Sequence, residues 1–317
     1  MIPRLLSRCA AHGAPLLASG IFLGLALPEL AALLRPLLTW AVTLILAVTL
    51  ARIDWGELAA YAGRWRLTLA ALAWLLLLSP MLASALLGLL GAPEGVRQAI
   101  VLMAGTAPIT SVAAFALLIG LDAALAMSVM LTATVAVPFV LPPLALGLLG
   151  IELAFGVPAF MLRLALLVGG AFLLALVLRR WLGAAWIRSH GDRLDGVAVI
   201  LLIVFGIALM DGITALLLSE PAYVLGLTAA AFLANFGLQA AGALAFLRLG
   251  AAPALTVGLA TGNRNMALLL AVLPPDTPRD IMVYFAVAQF PMYMAPAIQL
   301  PLYRRLARLR GATPPPP

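Results

Sequence analysis

Ala260-Thr261-Gly262-Asn263-Arg264-Asn265 sets an arginine and two asparagines in the middle of an apolar run from Pro253 to Leu273. A charge at bilayer depth is costly, so such residues are rare and face a cavity or a partner rather than lipid. A guanidinium cannot escape that cost by shedding its proton. The adjoining glycine and amides predict an interrupted helix. Its freed N–H and C=O groups are tolerated at that depth only where protein or water satisfies them.

The rest of the chain places this stretch in a membrane. Of 317 residues, 65% are hydrophobic and 10% charged, with a mean hydropathy of +1.15. Runs such as Leu67–Leu90 and Val197–Leu218 reach the roughly 20 residues that a spanning helix needs. The composition predicts an all-α polytopic membrane protein, a single domain over residues 1–317 with no room for a sizeable soluble one. The net charge of +7 comes from nineteen arginines and no lysine. They sit in short loops, so the charge reads as membrane topology and not as a nucleic-acid surface. Richness in Ala, Leu and Arg points to GC-rich coding and a bacterial inner membrane. Cys9 is the sole cysteine, which excludes an intramolecular disulfide and a thiolate metal cluster. His12 and His190 lie in loops without metal-ligand spacing, so neither a metal nor a cofactor is expected. Arg4 and Arg8 precede the apolar run Ala14–Leu27 as in a signal peptide, but no small-x-small cleavage site follows. That run is read as an uncleaved first helix. Residues 311–317, ending in four prolines, read as a disordered tail.

Ten spanning segments are expected, at about 14–34, 36–51, 66–90, 97–120, 122–149, 158–182, 194–218, 221–247, 252–273 and 279–303. With the N-terminus inside, the inner loops receive fourteen arginines. The outer loops receive four, Arg35, Arg97, Arg163 and Arg279. That positive-inside bias puts both termini in the cytoplasm.

The two halves echo each other. Segment four carries Gly105-Thr106-Ala107-Pro108-Ile109-Thr110-Ser111, a second predicted break. Gly105 to Asp122 is 17 residues and Gly262 to Asp280 is 18; Asp122 to Pro138 and Asp280 to Pro296 are both 16. Repeats of about 14–149 and 158–305 follow. Five spans each is an odd number, so the second copy must be inverted. Inverted repeats with paired broken helices place a transporter's substrate near the midplane.

At this point the chain resembles the bile acid:sodium symporter superfamily. One carrier of the likeness is Gly105–Pro143, with its Gly-Thr-Ala opening, the Gly120-Leu121-Asp122 turn, and a Thr/Ser-dotted fifth helix ending in proline. The other is Gly258–Leu273, where Gly262-Asn263-Arg264-Asn265 is similar to the family's Gly-x-Gln-Asn. The resemblance implies a core of segments three to five and eight to ten, with segments four and nine broken and crossing. It implies a panel of segments one, two, six and seven, and substrate held between core and panel by alternating access. Sodium-coupled members carry a glutamate where this chain has Ala260, and a glutamine where it has Arg264. Their Ser-Asn pair after the first break has no clear counterpart; Thr110-Ser111 is nearest. The resemblance therefore does not carry the sodium sites over. A guanidinium about 4 Å from a cation would repel it by roughly 4 kcal/mol at an effective dielectric near 20, about a thousandfold in affinity. Arg264 can thus stand in for the bound ion.

The candidate substrate-binding residues are Arg264, Asn263, Asn265, Thr110, Ser111 and Gln289. For each there is a structural reading as well: Arg264 capping half-helix carbonyls, the amides and hydroxyls bonding nearby backbone. Gln239, Thr132 and Thr134 are polar at similar positions. Asp211 is the only acidic residue well inside a segment, about 13 Å along the helix from Glu220 at roughly 1.5 Å per residue. It is a candidate coupling or gating group, as a partner of Arg264 or as a proton site. The expected function is sodium-independent secondary transport of small organic anions, with the lipid bilayer as the other partner. Rival readings are a sodium- or proton-coupled symporter, an arsenite-type carrier, and a ligand-binding receptor that transports nothing. An intramembrane enzyme is disfavoured, because no span carries a histidine and no carboxylates pair.

Overall fold

The computed structural model describes residues 6, 13–53, 55–56, 61–150, 156–274 and 277–309. Arg4, Arg8, Cys9, His12 and the tail 311–317 lie outside them. Every named element is helical, with no strand among the described residues. In chain order the α-helices are α1 (Gly13–Ala26), α2 (Pro28–Leu34), α3 (Leu38–Ala51), α4 (Trp65–Ala73), α5 (Ser79–Leu89), α6 (Glu94–Ala104), α7 (Val112–Ile119), α8 (Ala123–Leu149) and α9 (Gly156–Leu182). They continue with α10 (Ala184–Ser189), α11 (Gly191–Leu209), α12 (Ile213–Ser219), α13 (Pro221–Ala245), α14 (Ala251–Gly262), α15 (Ala267–Leu270), α16 (Arg279–Val287) and α17 (Gln289–Leu309).

Among the described residues, five uninterrupted helical stretches are long and apolar enough to cross a bilayer: Pro28–Ala51, Trp65–Leu89, Ala123–Leu149, Gly156–Leu182 and Pro221–Ala245. A sixth is Gly191–Leu209 taken with Ile213–Ser219, bent by 42°. The chain is thus an all-α protein with the helices of an integral membrane protein. The remaining expected spans are divided, segment ten into α16 and the 21-residue α17. Segment four divides into α6 and α7 around Gly105–Ser111, and segment nine into α14 and α15 around Asn263–Met266.

Two boundaries differ from the sequence expectation. The first hairpin was expected to split near Pro36. The helix instead stops at Leu27, whose φ of −126° and ψ of 73° leave the helical region. Pro28, lacking an N–H, starts the next helix at no cost, while Pro36 is absorbed in a 3₁₀ turn, Arg35–Leu37. Asp211 was expected near mid-membrane. It lies in the bend between α11 and α12, just past Leu209.

The chain divides into two compact units. One holds the described residues of Met1–Ile53, Leu166–Gly226 and Leu270–Leu273; the other those of Asp54–Ala165, Leu227–Leu269 and Pro274–Pro317. In the first, α11 is the central rod. α1 runs alongside it, with Gly20 and Gly24 against the backbone at Ile203 and Ile207. α2 and α3 run back the other way, so Arg35 meets Asp211 at one end (2.7 Å) and Arg52 meets Asp195 at the other. Arg179 donates to the carbonyls of Ala51 (2.7 Å) and Ile53 (2.9 Å), closing the C-terminus of α3, where orphan carbonyls and the helix dipole favour a cation.

In the second unit the loop ends also gather into two groups. At one, Asp122 caps α8 by accepting from the Leu125 N–H, pairs with Arg64 at 2.9 Å, and its own N–H donates to Thr256 of α14. At the other, the Asp280 carboxylate of α16 lies against Gly95 of α6, where any side chain would collide with it.

Candidate functional site

The two interrupted helices meet at their breaks. Pro108 and Arg264 form an antiparallel bridge, flanked by bonds from the Ile109 N–H to the Asn263 carbonyl (2.9 Å) and from the Asn265 N–H to the Ala107 carbonyl (2.8 Å). Proline suits this register, because the bridge uses the Ile109 and Asn265 N–H groups and needs none from Pro108. The backbone here is nearly closed on itself, as a helix end inside a membrane must be.

Arg264 completes the closure. It is fully buried, with 0% of its surface exposed. Its Nε donates to the Thr261 carbonyl at 2.6 Å and its Nη1 to the Thr106 carbonyl at 2.7 Å. Its Nη2 donates to the Ser79 hydroxyl at 2.8 Å and to the Leu75 carbonyl at 3.2 Å. Thr261 lies in the last turn of α14, and Thr106 lies just past the end of α6. Each helix C-terminus carries roughly half a negative charge, so the two together offset about one guanidinium charge. No carboxylate pairs with Arg264 among the described residues.

The Leu75 carbonyl is free for a reason written in the sequence. Trp74–Leu78 forms a π-helical turn in which the Ser79 N–H reaches back to Trp74. In that register the donor to Leu75 would be residue 80, which is proline and has no N–H. The orphaned oxygen accepts instead from the Ser79 hydroxyl at 3.0 Å and from Arg264. Trp74, in the same turn, donates its indole N–H to Thr261 Oγ1 at 3.1 Å.

A second polar layer backs the break. Asn235 of α13 donates to the Gly262 carbonyl at 2.9 Å, and its Oδ1 accepts from Gln239 (2.7 Å) and from Gln299 of α17 (3.0 Å). Tyr303 then donates to Gln239 Oε1 at 2.7 Å. Asn263 is buried and returns its amide to the Leu259 carbonyl at 2.9 Å. A Cβ on Gly262 would collide with the Asn235 carbonyl and the Gln239 side chain, so this close approach of α13 and α14 requires glycine.

Of the candidates, Arg264, Asn263, Asn265, Thr110, Ser111 and Gln289 all fall in the second unit. Arg264, Asn263 and Asn265 meet the first break. Thr110 and Ser111 lie where that break enters α7 and, with Asn265, remain partly exposed. Gln289 is 1% exposed and donates to the Phe285 carbonyl of the preceding turn at 3.1 Å. Thr134 and Thr132 bond their own helix at Met130 (2.7 Å) and Ser128. Asp211 falls in the first unit and pairs with Arg35; Arg264, one of the two partners weighed for it, has no carboxylate among the described residues. Sequence reasoning did not single out Leu75, Ser79, Asn235, Gln299 and Tyr303 as site residues. Asn235 carried a signal, four residues ahead of Gln239 on one helical face. Leu75 carried none, inside a uniform leucine run.

No protein-family model and no curated protein sequence matches this chain. Among the described residues no group of three or more His, Cys, Asp or Glu side chains could hold a metal ion.

Proposed function

We propose that the chain is a secondary transporter of small organic anions that works by alternating access without sodium, a divergent relative of the bile acid:sodium symporters. The observation that carries this reading is the Arg264 guanidinium bonded to the C-terminal carbonyls of both interrupted helices. In a cation-coupled carrier of this layout, such carbonyls and half-helix C-termini coordinate the ion. Here a covalently attached cation takes their lone pairs and offsets their partial charge. The positive N-terminal end of α7 is then left without a compensating carboxylate on the break. Thr110, Ser111 and Asn265 at that point offer hydroxyl and amide donors to an anion. In this role Arg264 acts through its field and by fixing the crossing, and the partly exposed residues make the contacts.

Ten spans in two inverted repeats account for the loop contacts. In that topology residues 52–65, 120–122 and 248–250 share the inner face, as do Arg52 and Asp195; residues 91–96 and 274–280 share the outer face, as do Arg35 and Asp211. Each of the ion pairs and close approaches joining loops within a unit links ends on the same face. The repeats also exchange equivalent contacts: Asp122 reaches α14 and Asp280 reaches α6. The break-to-break bridge has the same symmetry. The first unit holds segments one, two and seven and most of six, and the second holds three to five, ten and most of eight and nine, which supports a panel and a core.

A thermal-shift screen of small carboxylates and sulfonates on the purified protein would find the ligand, and counterflow of that labelled anion into proteoliposomes would test transport. Saturable, potential-independent exchange is expected. Stabilisation by a ligand that never crosses the bilayer would replace the carrier with a receptor.

A further inference from the structure

We propose that a cavity of about 630 Å³ at the start of α4 holds the phosphate headgroup of an anionic phospholipid. Arg64, Trp65, Arg66 and Leu67 line it from one side, and Leu249 and Pro253 from the turn into α14 on the other. The lining separates by chemistry. Arg64 and Arg66 present planar donor forks suited to phosphate oxygens. Leu67, Leu249 and Pro253 present hydrocarbon, and Leu249 and Trp65 are more than 40% exposed. A headgroup with acyl chains matches both parts, whereas a free phosphate matches only the first.

Two further observations favour the lipid. Arg66 makes no ion pair among the described residues. Its guanidinium sits 5.5 Å from the centre of the Trp65 ring, the arrangement of a side chain anchored at a membrane interface with its charge outward. Arg64 is held by Asp122 at 2.9 Å, which leaves the cavity with a net positive charge. Arg248 precedes Leu249 in the same turn, on the arginine-rich face. The leaflet on that face carries the anionic lipids, and basic pockets between helices there take their headgroups. The lipid would join the first turns of α4 and α14. Those two helices belong to the stretches that supply Leu75, Ser79 and Thr261 to Arg264, so occupancy would stabilise the crossing. This inference rests on the protein being membrane-embedded with its arginine-rich face inward, and it stands or falls apart from what the carrier moves.

The test uses the full chain purified in neutral detergent. Thermal unfolding and native mass spectrometry would be recorded with added phosphatidylglycerol, with phosphatidylcholine, and with inorganic phosphate alone. Phosphatidylglycerol should raise the unfolding temperature and remain bound, phosphatidylcholine should do neither, and added salt should weaken the effect. Arg66→Gln removes a side chain with no ion pair among the described residues, so it should fold and lose on the order of tenfold in phosphatidylglycerol affinity. Arg66→Lys should retain part of it. Equal effects of the two lipids, or unchanged affinity in Arg66→Gln, would overturn the proposal. An equal shift from inorganic phosphate alone would assign the cavity to a soluble anion and overturn the lipid reading.

Discussion

The ion pairs of the first unit and the Arg264 clasp of the second hold their charges in opposite ways. In the first, Arg35 and Asp211 pair with side-chain exposures of 59% and 21%, and Arg52 pairs with a half-exposed Asp195. In the second, Arg264 is wholly buried and has only neutral partners, three carbonyls and a hydroxyl. The first arrangement is ordinary ion pairing at helix ends, where water shares the work. The second builds an ion's environment out of helix termini and then fills it with a side chain. Its cost is recovered only because every group around it needs a donor. Water can replace a lost partner in those exposed pairs, and nothing can do so around Arg264.

The largest effect should follow Arg264→Ala. It orphans the Thr106 and Thr261 carbonyls and leaves Leu75 with the Ser79 hydroxyl alone, and an unpartnered buried polar group costs about 1–3 kcal/mol. A loss of about 3–5 kcal/mol, seen as a much lower unfolding temperature in detergent, is expected. Arg264→Lys keeps the charge but not the fork and should fall between. An alanine variant as stable as the parent would leave the clasp without a structural role.

Asn235→Ala should come next, at about 2–3 kcal/mol. It removes the donor to Gly262 and the acceptor shared by Gln239 and Gln299. Gln299→Ala removes only one of those bonds and should cost less. If the two variants matched, Asn235 would not be the centre of that layer.

Arg35→Ala and Asp211→Asn should change stability by no more than about 1 kcal/mol, as exposed pairs do. Their double variant should show a coupling of similar size. A cost near that of Arg264→Ala would mean that the Arg35–Asp211 pair is far less hydrated than its exposure indicates, and the contrast between the units would fail.

Much of this contrast is legible in the amino-acid sequence. Arg264 stands out as a charge in an apolar run, and Pro108 and Gly262 mark the two breaks. Both signals are local, because a proline without an N–H and a glycine without a Cβ restrict their own positions. The partners of Arg264 are not legible. Three of the four are backbone carbonyls, and a carbonyl has no letter in the sequence. Leu75 is available only because a π-helical turn meets Pro80, a coincidence of register that composition does not reveal. The position of Asp211 escapes the sequence for a related reason. Counting from Glu220 assumes one continuous helix, and the chain turns at Met210–Gly212.

The central claim is that Arg264 occupies the place of a coupling cation. Its most direct test is anion uptake into proteoliposomes, with sodium replaced by choline at constant ionic strength. Thermal unfolding of the purified protein would be recorded in the same two salts. Uptake and unfolding temperature unchanged by the replacement are the predicted result. A steep, saturable sodium dependence of uptake, accompanied by sodium-specific stabilisation, would contradict it and require cation ligands away from the clasp.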